Sequence, residues 1–164
     1  MSGHVRVTLT INGTPRDLEV EPHRPLADAL RDDCGLHSVH LGCTDGTCGA
    51  CTVIVDGDAV RSCLMLAVQC QSAQVRTVEG LAPDHPLRAA IPAPGAARCG
   101  FCVPGYVMLA AAALEQDPAM AADPERLNGL LACNVCWCGA GDTTRQEVIR
   151  SLRQPGGRPG MIMG

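Results

Sequence analysis

Gly42–Cys51 reads Gly-Cys-Thr-Asp-Gly-Thr-Cys-Gly-Ala-Cys: three thiols and three glycines within ten residues. Neither helical nor strand periodicity fits such a run. The glycines permit tight turns that can bring the three sulfurs to one side of a loop. A fourth thiol, Cys63, follows after eleven intervening residues. Those residues predict a hairpin, with β-branched Thr52–Val55, a turn at Asp56-Gly57 and a return over Ala59–Ser62.

Upstream, Val5, Val7, Leu9 and Ile11 alternate with polar residues, the pattern of a half-buried strand. Asn12-Gly13 is a hairpin turn, and Arg16–Val20 returns as the partner. Pro25–Asp33 predicts a short helix with Leu26, Ala29 and Leu30 on one face. Cys63–Gln69 predicts a helical turn, and Gln74–Val78 another strand. This order of strands and helix predicts a small β-grasp sheet crossed by one helix.

The second half changes character. Glu79–Ala97 reads as a linker holding Pro83, Pro86, Pro92 and Pro94, with a helical piece around Leu87–Ala90. Pro104–Gln116 predicts a helix ending before Asp117-Pro118. Asp123-Pro124 opens a second through Leu127, Leu130 and Leu131, and Asp142 a third through Val148, Ile149 and Leu152. The fold class is therefore α+β: a first domain over residues 1–80, a helical domain over 81–154 and a Gly- and Pro-rich tail over 155–164.

Composition narrows the function. The 164 residues carry no lysine, and 13 arginines face 17 acidic residues for a formal charge of -4. A mildly acidic chain without a basic run is a poor partner for nucleic acid or an anionic membrane. The longest apolar stretch, Cys102–Leu114, is 13 residues and too short to span a bilayer. The first residues show no secretory h-region, so a cytoplasmic location is expected. Aromatics make up only 2% of the chain, while cysteines number 11. In a reducing compartment, clustered cysteines point to metal ligands rather than disulfides.

The spacing Cys43-x4-Cys48-x2-Cys51, with Cys63 beyond, is the known pattern of plant-type [2Fe-2S] ligation. Zinc ligands usually come two by two, which fits a three-cysteine glycine loop poorly. In the second half, Cys99-x2-Cys102 precedes one helix and Cys136-x-Cys138 lies between two others. Four thiols in two pairs can close a metal centre, but spacing alone leaves zinc and iron–sulfur both open. Cys34, Cys70 and Cys133 remain over. They read as small packing residues, and His40 as a solvated or capping residue rather than a ligand.

Together with Val60–Cys63, Val78–Leu81, His85–Leu87, Cys99–Gly105 and Cys136–Cys138, the Gly42–Cys51 loop resembles the small iron–sulfur subunit of the molybdenum hydroxylases. That is the xanthine dehydrogenase, aldehyde oxidoreductase and carbon monoxide dehydrogenase family. The resemblance runs from about residue 4 to about residue 152, with the motifs in family order. It implies a plant-ferredoxin-like N-terminal domain and a four-helix C-terminal domain, each holding one [2Fe-2S] cluster. It also implies Cys99, Cys102, Cys136 and Cys138 as ligands of the second cluster. The expected partners are a molybdopterin-binding large subunit and an FAD-binding medium subunit or another acceptor. Electrons would pass from molybdopterin through the C-terminal cluster, then the N-terminal one.

The chain departs from the family pattern in three places. Arg98 stands where the family usually has a glutamine that touches the pterin, so Arg98 is the expected contact there. Trp137 replaces the arginine usual between the last two ligands. Gly139-Ala140-Gly141 replaces a Thr-Gly-Tyr run. No nucleophile–base arrangement or carboxylate pair stands out, so no substrate chemistry is expected on this chain. Two rivals follow from the same residues: a freestanding ferredoxin-like carrier, and a regulatory module with zinc in the second site.

Overall fold

The computed structural model describes residues 3–92 and 99–153. Arg98 and the 155–164 tail lie outside the described residues. Strands β1 (Val5–Ile11) and β2 (Thr14–Val20) pair antiparallel, placing Val7 opposite Leu18. Val7, Leu9, Ile11, Leu18 and Val20 are buried, as their alternation requires. The turn between them has φ of 50° at Asn12 and 78° at Gly13, the left-handed pair that suits a two-residue hairpin. Asp56 and Gly57 do the same between β3 (Thr52–Val55) and β4 (Asp58–Arg61). With β5 (Gln74–Arg76) the five strands form one mixed sheet in the order β2-β1-β5-β3-β4, where β5 runs parallel to β1 and antiparallel to β3.

Helix α1 (Leu26–Asp28) starts after Pro25 and widens into a π-helical turn over Ala29–Asp33. It presents Leu26, Ala27, Ala29 and Leu30 to the sheet, closing a first core with Val7, Leu9, Val53 and Val75. The expected turn over Cys63–Gln69 forms later, as a 3-10 segment at Ala67–Cys70. Met65 and Ser62 are already engaged through their carbonyls, which accept from Leu26 and Ala27.

The second core surrounds α2 (Val103–Gln116), with α3 (Pro124–Leu131) and α4 (Gly141–Ser151) packed against it. Asp123 caps α3, its side chain accepting from Arg126 N at 3.0 Å. Asp142 does not cap α4: the helix begins at Gly141 after Ala140, and Asp142 sits in the first turn, ion-paired to Arg145. Among the described residues the second half thus has three α-helices. The 3-10 segment Pro86–Ala90 packs against α2 and α4 beside them, burying Leu87 and Ala90.

Strand β3 joins the two cores. All four of its residues are buried, with Val53 and Val55 in the first core and Ile54 in the second. Arg76 on β5 pairs with Glu115 on α2, and Gln116 Nε2 donates to Gly57 O at 3.2 Å and Asp58 Oδ1 at 2.9 Å. α2 also lies directly on the Gly42–Cys51 loop. A Cβ at Gly105 would run into the carbonyl of Gly49, so only glycine permits the helix to approach so closely.

Candidate metal centres

The Gly42–Cys51 loop turns as its glycines allow, with φ of 78° at Gly46 and 74° at Gly49. Cys48 and Cys51 are buried, while Cys43 and Cys63 are half-buried. Cys48 N donates to Cys43 Sγ at 3.3 Å, and Cys51 Sγ and Cys63 Sγ stand 3.2 Å apart. Cys63 enters from the end of β4, held by Ser62, whose N–H and hydroxyl both donate to Cys51 O. The thiols feel one another strongly. The backbone N–H of Cys48 pulls Cys43 below the ordinary thiol value. Burial, followed by the neighbouring Cys51, Cys43 and Cys48 sulfurs, pushes Cys63 up to about 12. Four such sulfurs cannot all ionise without positive charge among them, which is what iron supplies.

The second site is built from the start of α2 and the α3–α4 connection. Cys102 is buried just before α2, and burial plus the Cys136 sulfur pushes it up to about 12. Cys136 Sγ and Cys138 Sγ are 3.3 Å apart. The fully buried Tyr106 reaches from α2 to this connection, its hydroxyl donating to Asn134 O at 2.7 Å. Cys99 is exposed, one turn of chain ahead of Cys102 across Gly100, whose φ is 73°. The structure thus brings Cys102, Cys136 and Cys138 into mutual reach and leaves Cys99 at the rim.

The donor sets suit diiron centres. Two thiolates on one tetrahedral metal stand about 3.7 Å apart when each metal–sulfur bond is about 2.3 Å. The sulfur pairs at 3.2 and 3.3 Å need only a slight opening to match. A diiron core asks for two protein thiolates at each iron.

Cys70 is fully buried, with its thiol donating to Leu66 O; Cys34 is half-buried, and burial raises both. Cys133 is exposed, and its carbonyl accepts from Arg61 Nη2 at 3.3 Å. The His40 ring stacks on Phe101. Trp137 is 70% exposed. Sequence reasoning missed the Tyr106–Asn134 bond and the Gly105–Gly49 approach. A glycine inside an otherwise apolar helix was the available signal for the second.

Residues 9–82 match the family described as 2Fe-2S iron-sulfur cluster binding domain, and residues 77–148 the family described as [2Fe-2S] binding domain. The chain is 40% identical over 149 residues to the 6-hydroxypseudooxynicotine dehydrogenase complex subunit beta of Paenarthrobacter nicotinovorans, covering 89% of this chain and 90% of that one. It is 41% identical over 137 residues to the xanthine dehydrogenase iron-sulfur-binding subunit of Escherichia coli O157:H7, covering 82% and 86%. The chain belongs to the small iron–sulfur subunits of the molybdenum hydroxylases. Its fold agrees: quinoline 2-oxidoreductase from Pseudomonas putida 86 superimposes with a TM-score of 0.78 and 36% identity, over 93% of this chain and 98% of that one. Two distinct [2Fe-2S] domains therefore lie on this small subunit. Among the described residues no helix is long and apolar enough to cross a membrane.

Proposed function

We propose that this chain is the electron-transfer subunit of a molybdenum hydroxylase-type oxidoreductase. In this role Cys43, Cys48, Cys51 and Cys63 hold the first [2Fe-2S] cluster, and Cys99, Cys102, Cys136 and Cys138 the second. The observation that carries the reading is the junction of the two thiol sets. Val135 N donates to Cys48 O at 2.9 Å, one residue before Cys136, and Asn134 Nδ2 donates to Gly49 O at 3.3 Å. The two loops are thereby held as neighbours by direct hydrogen bonds.

Each cluster, when bound, carries one electron at a time without a bond being made to substrate. The polypeptide holds the sulfurs in place. Glycine turns expose backbone N–H groups to the thiolates, and the apolar residues around Cys51 and Cys102 limit reorganisation on charge transfer. Substrate oxidation belongs to a molybdopterin-binding large subunit, with the helical half (81–154) facing it and Arg98 expected to touch the pterin. The first half (1–80) passes electrons to FAD on a medium subunit or to another acceptor. A cytoplasmic complex fits the eleven thiols. The small subunits this chain matches come from enzymes named for nicotine derivatives, xanthine and aldehydes, and in this reading the substrate pocket belongs to the partner.

The test is metal and sulfide analysis with low-temperature paramagnetic resonance on the complex purified through this chain. The expected result is iron and sulfide filling both sites, two distinct signals on reduction, and a molybdenum-containing partner. Zinc in place of half the iron overturns the reading in favour of a regulatory module. Quantitative recovery of a red, stable chain without large subunits overturns it in favour of a freestanding carrier.

A further inference from the structure

The second site has two arms, Cys99–Cys102 and Cys136–Cys138, and each is tied separately to the first-site loop. The Cys136 arm is tied through its backbone, by Val135 N to Cys48 O, and beside it Arg61 Nη2 on β4 donates to Cys133 O. The Cys99 arm is tied by a side chain. His40, three residues before Cys43, lies 2.6 Å by Nδ1 from the carbonyl of Phe101. A carbonyl only accepts, so Nδ1 carries the proton and donates it. The imidazole also stacks on the Phe101 ring, with centroids 4.5 Å apart and planes at 14°. Phe101 in turn closes over Gly42. A Cβ there would stand 3.2 Å from Phe101 Cε1, 3.1 Å from Cys48 Sγ and 3.6 Å from Trp137 Nε1. Thus Phe101 between Cys99 and Cys102, Trp137 between Cys136 and Cys138, and a first-site sulfur all meet at one glycine. Phe101 is 38% exposed, so packing from other residues does not fix it as fully as a buried ring would be fixed.

We propose that His40 is a positioning residue for electron transfer between the two clusters: by clasping Phe101 it holds the Cys99–Cys102 arm against the first-site loop and fixes the separation of the two centres. The inference rests on the electron-transfer reading above. The step it serves is balanced as it stands. One electron leaves the reduced second cluster and enters the oxidised first cluster, and no proton or bond moves with it. Because tunnelling falls steeply with separation, an arm that opens slows the step.

The experiment uses the assembled complex with His40→Phe and His40→Ala. His40→Phe keeps a stacking ring and removes the donor; His40→Ala removes both. In the fully reduced complex the magnetic splitting between the two clusters reports their separation. Chelator-driven iron release reports opening of the arm. Both variants are expected to retain two paramagnetic signals. Iron release from the second site should be about fivefold faster in His40→Phe, the factor for losing one ordinary hydrogen bond, and faster still in His40→Ala. The splitting should change with it in both signals, while the g values of the first cluster stay as they are in the parent. Splitting and release unchanged in His40→Phe and His40→Ala overturn the clasp while leaving the electron-transfer reading intact. If His40→Ala fails to assemble, His40→Phe decides by the same two readouts. An unsubstituted complex lacking two iron signals overturns the reading itself.

Discussion

The backbone N–H of Val135 donates to the carbonyl of Cys48 at 2.9 Å, so a first-site residue and the neighbour of a second-site residue share one hydrogen bond. The two metal loops are therefore built on each other. Yet each site draws its sulfurs from its own half of the chain, and each should be separable by substitution.

Cys51→Ser should abolish the first cluster and leave the second, halving the iron, and Cys136→Ser should do the converse. A hydroxyl is a poor substitute for a thiolate at iron, whereas its size preserves the loop. Iron analysis and paramagnetic resonance of the two variants check this. Loss of both signals from either substitution would contradict independent sites.

Cys133→Ser should change neither iron content nor either signal. The engaged groups of Cys133 are those of its backbone, the N–H donating to Leu130 O at 3.1 Å and the carbonyl accepting from Arg61, and the residue is exposed. A fall in second-site iron in this variant would make Cys133 a ligand in place of one of the assigned four.

Gly105→Ala should destabilise the chain by about 1–3 kcal/mol, the usual penalty for forcing a methyl into a packed contact. The clash is with backbone, at Gly49 O and Ala50 Cα, and neither can rotate away as a side chain would. Thermal unfolding of the complex reads it. The first cluster should suffer with the helix, because Gly49 lies between Cys48 and Cys51.

Glu79 supplies a pH test. Burial alone would raise its carboxyl, but hydrogen bonds from Ser38 and Thr77 outweigh burial and hold it below its ordinary 4.5. The Ser38 hydroxyl donates at 2.6 Å, the Ser38 N–H at 3.1 Å and the Thr77 hydroxyl at 2.6 Å. A carboxyl held low in the folded state adds stability above its unfolded value, and that stability is lost as pH falls through the folded value. Glu79→Gln should therefore be less stable than the parent at neutral pH, with the gap narrowing on acidification. A gap that stays constant across that range would remove the charge from the explanation.

Much of this architecture is written in local signals. Asn12-Gly13 and Asp56-Gly57 announce both hairpins, and the spacing of Cys43, Cys48 and Cys51 announces the first metal loop. Asp123-Pro124 likewise marks the start of α3. What stayed hidden is non-local. The π turn after Asp28 answers to packing against the sheet, and Asp142 was outcompeted as a cap because Arg145 holds it inside the first turn. His40 carries no sign that its partner lies at Phe101, sixty-one residues away. The Cys99, Cys102, Cys136 and Cys138 set was ambiguous on spacing for the same reason: nothing local says that the α3–α4 connection returns to the start of α2.

Strand β3 turns Val53 and Val55 one way and Ile54 the other. Cutting the polypeptide between its halves would leave Ile54 bare on one fragment and strip α2 of its floor on the other. This subunit is therefore not a tandem of two portable ferredoxins. Transplanting either half into a foreign scaffold requires redesigning the surface uncovered by the cut, and calorimetry on the intact protein should register a single melting event rather than two.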